Sequence, residues 1–287
     1  MKLRDALALT RAGNAVMAGL GAVVGGVVAG GDPSTWARSP FAFLAVAFIA
    51  AFGNILNDIA DQAIDRMAHP TRPLPSRRVS IKAAQNLLVA CGSIGLVAAF
   101  LAGSYTLVAF AIVVLAALHS YETHLKARGL PGNLLVAALV AATFLFGAAA
   151  TARPIELWGP VWFLAGLALL ANVGREIQKD MQDVAADRGH RTTIPIQFGL
   201  RGAGLAALVS VSLANGVALG LAARPPSGWW AGFVFVLLLA VAHLAAGSLV
   251  GLRKPAKGQR LLKAGMAIAL LAFLSGPLVP VLAARLS

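Results

Sequence analysis

Residues 229–251 read Trp-Trp-Ala-Gly-Phe-Val-Phe-Val-Leu-Leu-Leu-Ala-Val-Ala-His-Leu-Ala-Ala-Gly-Ser-Leu-Val-Gly, 23 positions without one Asp, Glu, Lys or Arg. At 1.5 Å per residue such a helix crosses a hydrocarbon core of about 30 Å. Comparable runs at 12–31, 40–58, 83–102, 104–121, 131–151, 157–175, 201–222 and 263–284 bring the expected number of spans to nine. With 59% hydrophobic and 12% charged residues among 287, the chain is too apolar for a domain whose surface faces water. The expected architecture is therefore an all-α, multi-span membrane helical bundle, a single domain over residues 1–287. Gly31-Asp32-Pro33, Gly103, Arg153-Pro154 and Arg224-Pro225-Pro226 mark junctions between spans. Gly21 and Gly25, at GxxxG spacing, predict close helix packing.

The net charge of +13 resides in short segments between spans, which argues against a nucleic-acid-binding face. Cys91 is the only cysteine, so no intrachain disulfide and no Cys-rich metal site can form. Lys2, Arg4 and Arg11 precede the first apolar run, but Asp5 interrupts them and no cleavage site is evident, so that run is expected to be a retained span. With the N-terminus inside, 20 of the 24 Lys and Arg residues face the cytoplasm, leaving Arg38, Arg153, Arg224 and Arg285 outside. Trp36, Trp158, Trp162, Trp229 and Trp230 then fall near the outer interface. The expectation is an integral protein of the cell membrane whose functional side faces the cytoplasm.

Nine of the eleven acidic residues lie on that side, and six of them occupy two short segments. Asn57-Asp58-Ile-Ala-Asp61-Gln-Ala-Ile-Asp65-Arg66 and Lys179-Asp180-Met-Gln-Asp183-Val-Ala-Ala-Asp187-Arg188 both contain DxxDxxxDR, 122 residues apart. Thr71 and Pro73 recur as Thr193 and Pro195 at the same offset, which marks an internal repeat. An even number of intervening spans makes the repeat parallel and brings both motifs to one face. On a helix, positions i, i+3 and i+7 share one side, so each motif is expected to present three carboxylates along one face. So many like charges at the bilayer edge require cations, and an all-oxygen set without His or Cys suits Mg²⁺. The chemistry such clusters best fit is Mg²⁺-dependent handling of a diphosphate. Ion transport is the rival from another class, but its pathway needs polar groups through the membrane, and spans 3, 7 and 9 carry almost none.

These segments resemble the UbiA-type intramembrane prenyltransferases, and the resemblance covers nearly the whole chain. Asn57 to Asp65 matches the family's NDxxDxxxD, and Pro70, Arg72, Pro73, Pro75 and Ser76 match the PxRPxPS that follows it in several subgroups. Tyr121, Leu125, Lys126, Gly132 and Asn133 resemble its Y…LK…GN segment. Arg175-Glu176-Ile177, Lys179-Asp180, Asp183, Asp187, Gly189 and Thr193 resemble the second motif, and Arg11 and Asn14 the first-helix RPxN. Ala12 replaces the proline of RPxN, Ala68 stands where asparagine is common, and Arg77 replaces the glycine of PSG. The combination is most similar to the geranylgeranylglyceryl-phosphate geranylgeranyltransferase subgroup.

The resemblance implies transfer of an isoprenyl group from a prenyl diphosphate to a lipophilic acceptor, in a membrane enzyme of lipid biosynthesis. Geranylgeranylglyceryl phosphate is the acceptor expected, and an aromatic or tetrapyrrole acceptor the alternative. Asp58, Asp61, Asp65, Asp180, Asp183 and Asp187 are expected to hold Mg²⁺ and diphosphate. Among these, Asp61 and Asp183 are expected to be catalytic, with Arg72, Lys126 and Lys179 contacting phosphate oxygens, and Arg175 a further phosphate reader. Asn57 and Asn14 are read as site residues; satisfying a neighbouring helix is the other reading for both and for Asn133. Tyr121 is an interface anchor or a site residue contacting acceptor or cation. His69, His119, His124 and His190 receive no role.

Overall fold

A computed structural model describes residues 1–30, 37–189 and 191–286, without the side chains of 68, 285 and 286. The expected junction Gly31-Asp32-Pro33, Trp36 and His190 fall outside it. The described residues form helices and connecting turns, with no strand among them. Eleven α-helices follow in chain order: α1 Leu3–Leu9, α2 Ala12–Gly30, α3 Ser39–Ala60, α4 Gln62–Ala68, α5 Ile81–Leu101, α6 Tyr105–Ser120, α7 Leu130–Ala150, α8 Gly159–Asp187, α9 Ile194–Ala223, α10 Gly232–Gly251 and α11 Pro255–Leu286. A wide turn at Tyr121–Leu125 and a tight one at Lys126–Arg128 extend α6 to residue 128.

Eight helices among the described residues are long and apolar enough to cross a membrane: α2, α3, α5, α6 with its extension, α7, α9, α10 and α11. The protein is an integral membrane helical bundle. α8, which takes up the expected span 157–175 from residue 159 onward, is not among the eight. It runs on to Asp187, and its second half carries Arg175, Glu176, Gln178, Lys179 and the second aspartate motif.

Local chemistry sets the helix starts. Ser80 and Ser104 accept hydrogen bonds from Ala83 N and Leu107 N at 3.2 and 3.3 Å, capping α5 and α6. Proline occupies the first turn of α3, α7, α8 and α9, where its missing N–H costs no helical bond. Between α5 and α6 the chain reverses at Gly103, whose φ of +126° a side chain would strain.

α2 lies centrally, touching α3, α7, α8 and α11; α10 packs on α11, and α8 on α9 and α7. The α2–α7 crossing is backbone against backbone. A Cβ added at Gly25 would collide with the Phe144 carbonyl, and one at Gly147 with the Ala22 carbonyl. Small residues thus let these helices approach as the GxxxG pattern predicts. Edge-to-face rings of Trp229, Phe233 and Phe273, 4.8–6.0 Å between centres, join α10 to α11. Gln178 of α8 is buried between these two helices, donating to the Gly247 carbonyl at 3.2 Å.

Candidate active site

The two aspartate motifs lie at the C-terminal ends of α3 and α8. The second is continuous helix, as expected. The first is not: α3 ends at Ala60, Asp61 adopts φ −84° and ψ 4°, and α4 begins at Gln62. The expectation of three carboxylates along one uninterrupted helical face is corrected here. The path stays nearly helical, since Asp61 N still donates to Asn57 O at 2.9 Å and Asp65 N to Asp61 O at 2.8 Å. What changes is the direction of Asp61, whose carboxylate lies between Lys126 Nζ at 2.8 Å and the Arg191 guanidinium at 3.0 Å.

Each of the other carboxylates of the first motif has its own cation. Asp58 accepts from Arg11 at 2.6 Å and Asp65 from Arg72 at 2.5 Å, both carboxylates being buried. Arg11 also donates to Asn57 Oδ1 at 3.0 Å, and Asn57 Nδ2 donates to Glu122 at 2.9 Å. Lys126 reaches Glu122 at 2.6 Å as well as Asp61, so its ammonium is enclosed between two carboxylates. In the second motif Asp187 pairs with Arg191 at 3.1 Å, Asp180 accepts from Asn133 at 2.9 Å, and Asp183 has no hydrogen bond or ion pair among the described residues. One guanidinium, that of Arg191, therefore joins Asp61 of the first motif to Asp187 of the second.

Burial pushes the Asp180 carboxyl up to about 6, against the hydrogen bond from Asn133. Asp187 is likewise raised by burial, with Arg191 pulling it back. Glu176 is buried between Arg175, which also donates to Asn172 at 3.1 Å, and Lys179, 3.8 Å away. No set of three His, Cys, Asp or Glu among the described residues is already gathered around a common metal position. Asp58, Asp61, Asp65 and Asp187 instead hold protein cations.

A cavity of about 530 Å³ connects these groups. Arg11, Asn14, Asn57, His69, Arg72, Tyr121, Arg175, Lys179 and Asp183 line its polar mouth, so nine residues distant in sequence share one space. Its deeper wall, from α2, α3, α6 and α7, is apolar, with Ala18, Val46, Ile49, Phe110, Val114, Leu139 and Phe146. Tyr121 and Asn14 thus face the cavity, and His69, left without a role by the sequence, does too. Asp58, Asp61, Asp65, Asp180 and Asp187 stand behind the mouth in the ion pairs and hydrogen bonds given above.

Glu122, Arg191, Gln259 and Lys263 are site residues that sequence reasoning missed. Glu122 directly follows Tyr121, and Arg191 lies between Asp187 and Thr193 of the second motif; those positions were the available signals. Gln259 and Lys263 carried none beyond belonging to a basic loop.

The UbiA prenyltransferase family model matches residues 18–276, and the aspartate motifs lie inside the match. The chain belongs to the UbiA prenyltransferase family. Among its UbiA relatives, digeranylgeranylglyceryl phosphate synthase of Methanopyrus kandleri is 36% identical, covering 95% of this chain and 99% of that one. A solved structure of a digeranylgeranylglyceryl phosphate synthase is similar with TM-score 0.74 and 27% identity, over 96% of this chain and 99% of the other. A UbiA homologue from Archaeoglobus fulgidus, solved bound to GPP and Mg²⁺, shares the fold at TM-score 0.63 and 16% identity, over 92% and 99% of the two chains. The protein is a prenyltransferase.

Proposed function

We propose that this UbiA enzyme transfers a geranylgeranyl group from its diphosphate to the hydroxyl of geranylgeranylglyceryl phosphate, a step of ether-lipid synthesis. The observation that carries the reading is the cavity: a cation-rich mouth, lined by Asp183 and backed by the other five aspartates, that is continuous with an apolar recess. A diphosphate needs the first and an isoprenoid chain the second. The M. kandleri relative's activity supports the choice of acceptor.

The donor set fits Mg²⁺. Asp58, Asp61, Asp65, Asp180, Asp183 and Asp187 offer only hard oxygen ligands, and Asp183 is unpaired among the described residues. GPP and Mg²⁺ in the A. fulgidus homologue support the same pairing of ligands. Bound there, Mg²⁺ supplies charge neutralisation of the diphosphate leaving group. The chain's own residues do the rest. Arg72 and Lys126 turn from carboxylates to phosphate oxygens, stabilising the charge that grows as the allylic C–O bond breaks and its electron pair leaves with diphosphate. Arg191 positions Asp61 and Asp187 across the mouth. Asn57 orients Arg11, and Asn14, Tyr121 and Arg175 line the space the acceptor enters. The acceptor oxygen attacks the allylic carbon and gives up its proton to the departing diphosphate, while the apolar recess keeps water from the cation.

The same reading gives α8 from Gly159 to Arg175 as a ninth span and the halves as a parallel repeat, with one domain over residues 1–287. Both motifs then lie on one side, the cytoplasmic face of the cell membrane, in keeping with the 20 of 24 basic residues that collect there. The test is purified enzyme with Mg²⁺ and radiolabelled geranylgeranyl diphosphate against geranylgeranylglyceryl phosphate, 4-hydroxybenzoate, homogentisate and chlorophyllide. Label is expected in the diether phosphate. Label entering only an aromatic or tetrapyrrole product overturns the acceptor and leaves the donor site standing.

A further inference from the structure

The mouth of the cavity is electrically lopsided. On the α3–α4 side, Arg11, Lys126 and Arg72 match Asp58, Asp61 and Asp65. On the opposite side, where α8 faces α11, three cations share one carboxylate. Arg175 holds Glu176, Lys179 stands 3.8 Å from it with a half-exposed side chain, and Lys263 lies within electrostatic reach of the same group. Lys263 makes no ion pair or hydrogen bond among the described residues, and its side chain opens into the cavity, with Gln259 one turn earlier on the same wall. With Asp180, Asp183 and Asp187 assigned to Mg²⁺, Glu176 alone is set against these three cations, and two positive charges are left over beside an apolar recess. Cations gathered in a half-desolvated space repel one another unless an anion joins them.

We infer that Lys263, with Lys179 and Gln259, forms a second anion subsite on the α8–α11 wall that takes the phosphomonoester of a lipid acceptor. The inference rests on the prenyl-transfer reading above and deepens it. A phosphate dianion matches the surplus of two charges, and ammonium and amide donors suit its oxygens. Its hydrocarbon tail has an apolar path along Val136, Leu139 and Val140 of α7, which line the same cavity. The donor diphosphate and the acceptor phosphate then occupy opposite walls. Two anions drawn to one mouth are kept apart by the positions of their countercharges.

The experiment measures binding, not turnover. Wild type, Lys263→Met and Lys263→Arg are placed in phosphatidylcholine nanodiscs, with labelled geranylgeranylglyceryl phosphate as one ligand and geranylgeranyl thiolodiphosphate with Mg²⁺ as the other. Lys263→Met is expected to raise the acceptor Kd tenfold or more and to leave the donor-analogue Kd within twofold, and Lys263→Arg to recover most of the acceptor binding. Unchanged acceptor binding in the Met variant overturns the subsite alone. Equal loss of both ligands overturns it too, because the residue then serves the whole mouth. Wild type that binds the donor analogue but not the phosphate lipid overturns the acceptor reading together with the subsite. In a further arm, phosphatidylglycerol added to the disc competes weakly if the phosphomonoester is the ligand; competition at equal concentration assigns the wall to bulk lipid and overturns the inference.

Discussion

Asp183 has no partner among the described residues, yet it belongs to a motif whose other members are held in place. Asp183→Ala is therefore expected to leave the fold intact and to lower prenyl transfer at least about 100-fold by removing a metal ligand. Wild-type turnover in that variant removes it from the metal site. Arg191→Leu releases Asp61 and Asp187 together, and about a 10- to 100-fold rise in the Mg²⁺ concentration needed for half-maximal activity is expected from loss of an orienting contact. Asp180, raised to about 6, gives the pH dependence its direction. Its folded pKa exceeds the unfolded value, so protonation favours the metal-free fold: stability on this account is full at low pH and is lost as pH rises through about 6. Metal binding runs the other way and is expected to weaken as pH falls through the same value, which isothermal titration between pH 5 and 7.5, roughly spanning it, will read. At this scale the aspartates were legible because they repeat. Glu122, Arg191 and Lys263 were not, because a single charge in a basic loop looks the same whether it faces a cavity or water.

Helices were legible where apolar sequence must become helix to satisfy its backbone in lipid. The expected spans 40–58, 83–102 and 131–151 lie within two residues of α3, α5 and α7 at each end. The reading failed where a helix leaves the apolar zone. α8 continues to Asp187 and α11 begins at Pro255, because a polar, amphipathic end carries no hydropathy signal. α9 starts at Ile194, and the expected start at 201 falls just after Gly199, whose φ of 72° interrupts the helix. The α2–α7 crossing supplies a test. Gly147→Leu inserts a side chain against the Ala22 carbonyl and is expected to cost at least about 3 kcal/mol, near the upper end for overpacking. The readout is a lower melting temperature in detergent. Gly216→Leu, where nothing lies within 4 Å, serves as the control.

For the molecule as a whole, nine spans place the ends on opposite sides of the membrane and eight place them on the same side. Cys91 is buried, so single cysteines introduced at exposed ends report without background. Arg4→Cys should react with an impermeant maleimide only from the cytoplasmic side, and Arg224→Cys only from the other. Same-side labelling of both removes α8 as a span or reverses a helix. One contact reaches across this whole-molecule scale. Asp5 of α1 is 4% exposed and pairs with Arg78 at 3.0 Å, while Leu9 packs against Leu74 and Val79 in one buried cluster. The segment that carries Arg72 is thereby fastened to the first turns of the chain. A purification tag fused there, or removal of residues 2–9, would pull on a latch closed over the donor pocket. Protein handled that way should still fold and capture lipid but need more diphosphate to work, so recombinant forms of this enzyme are better tagged at the other end.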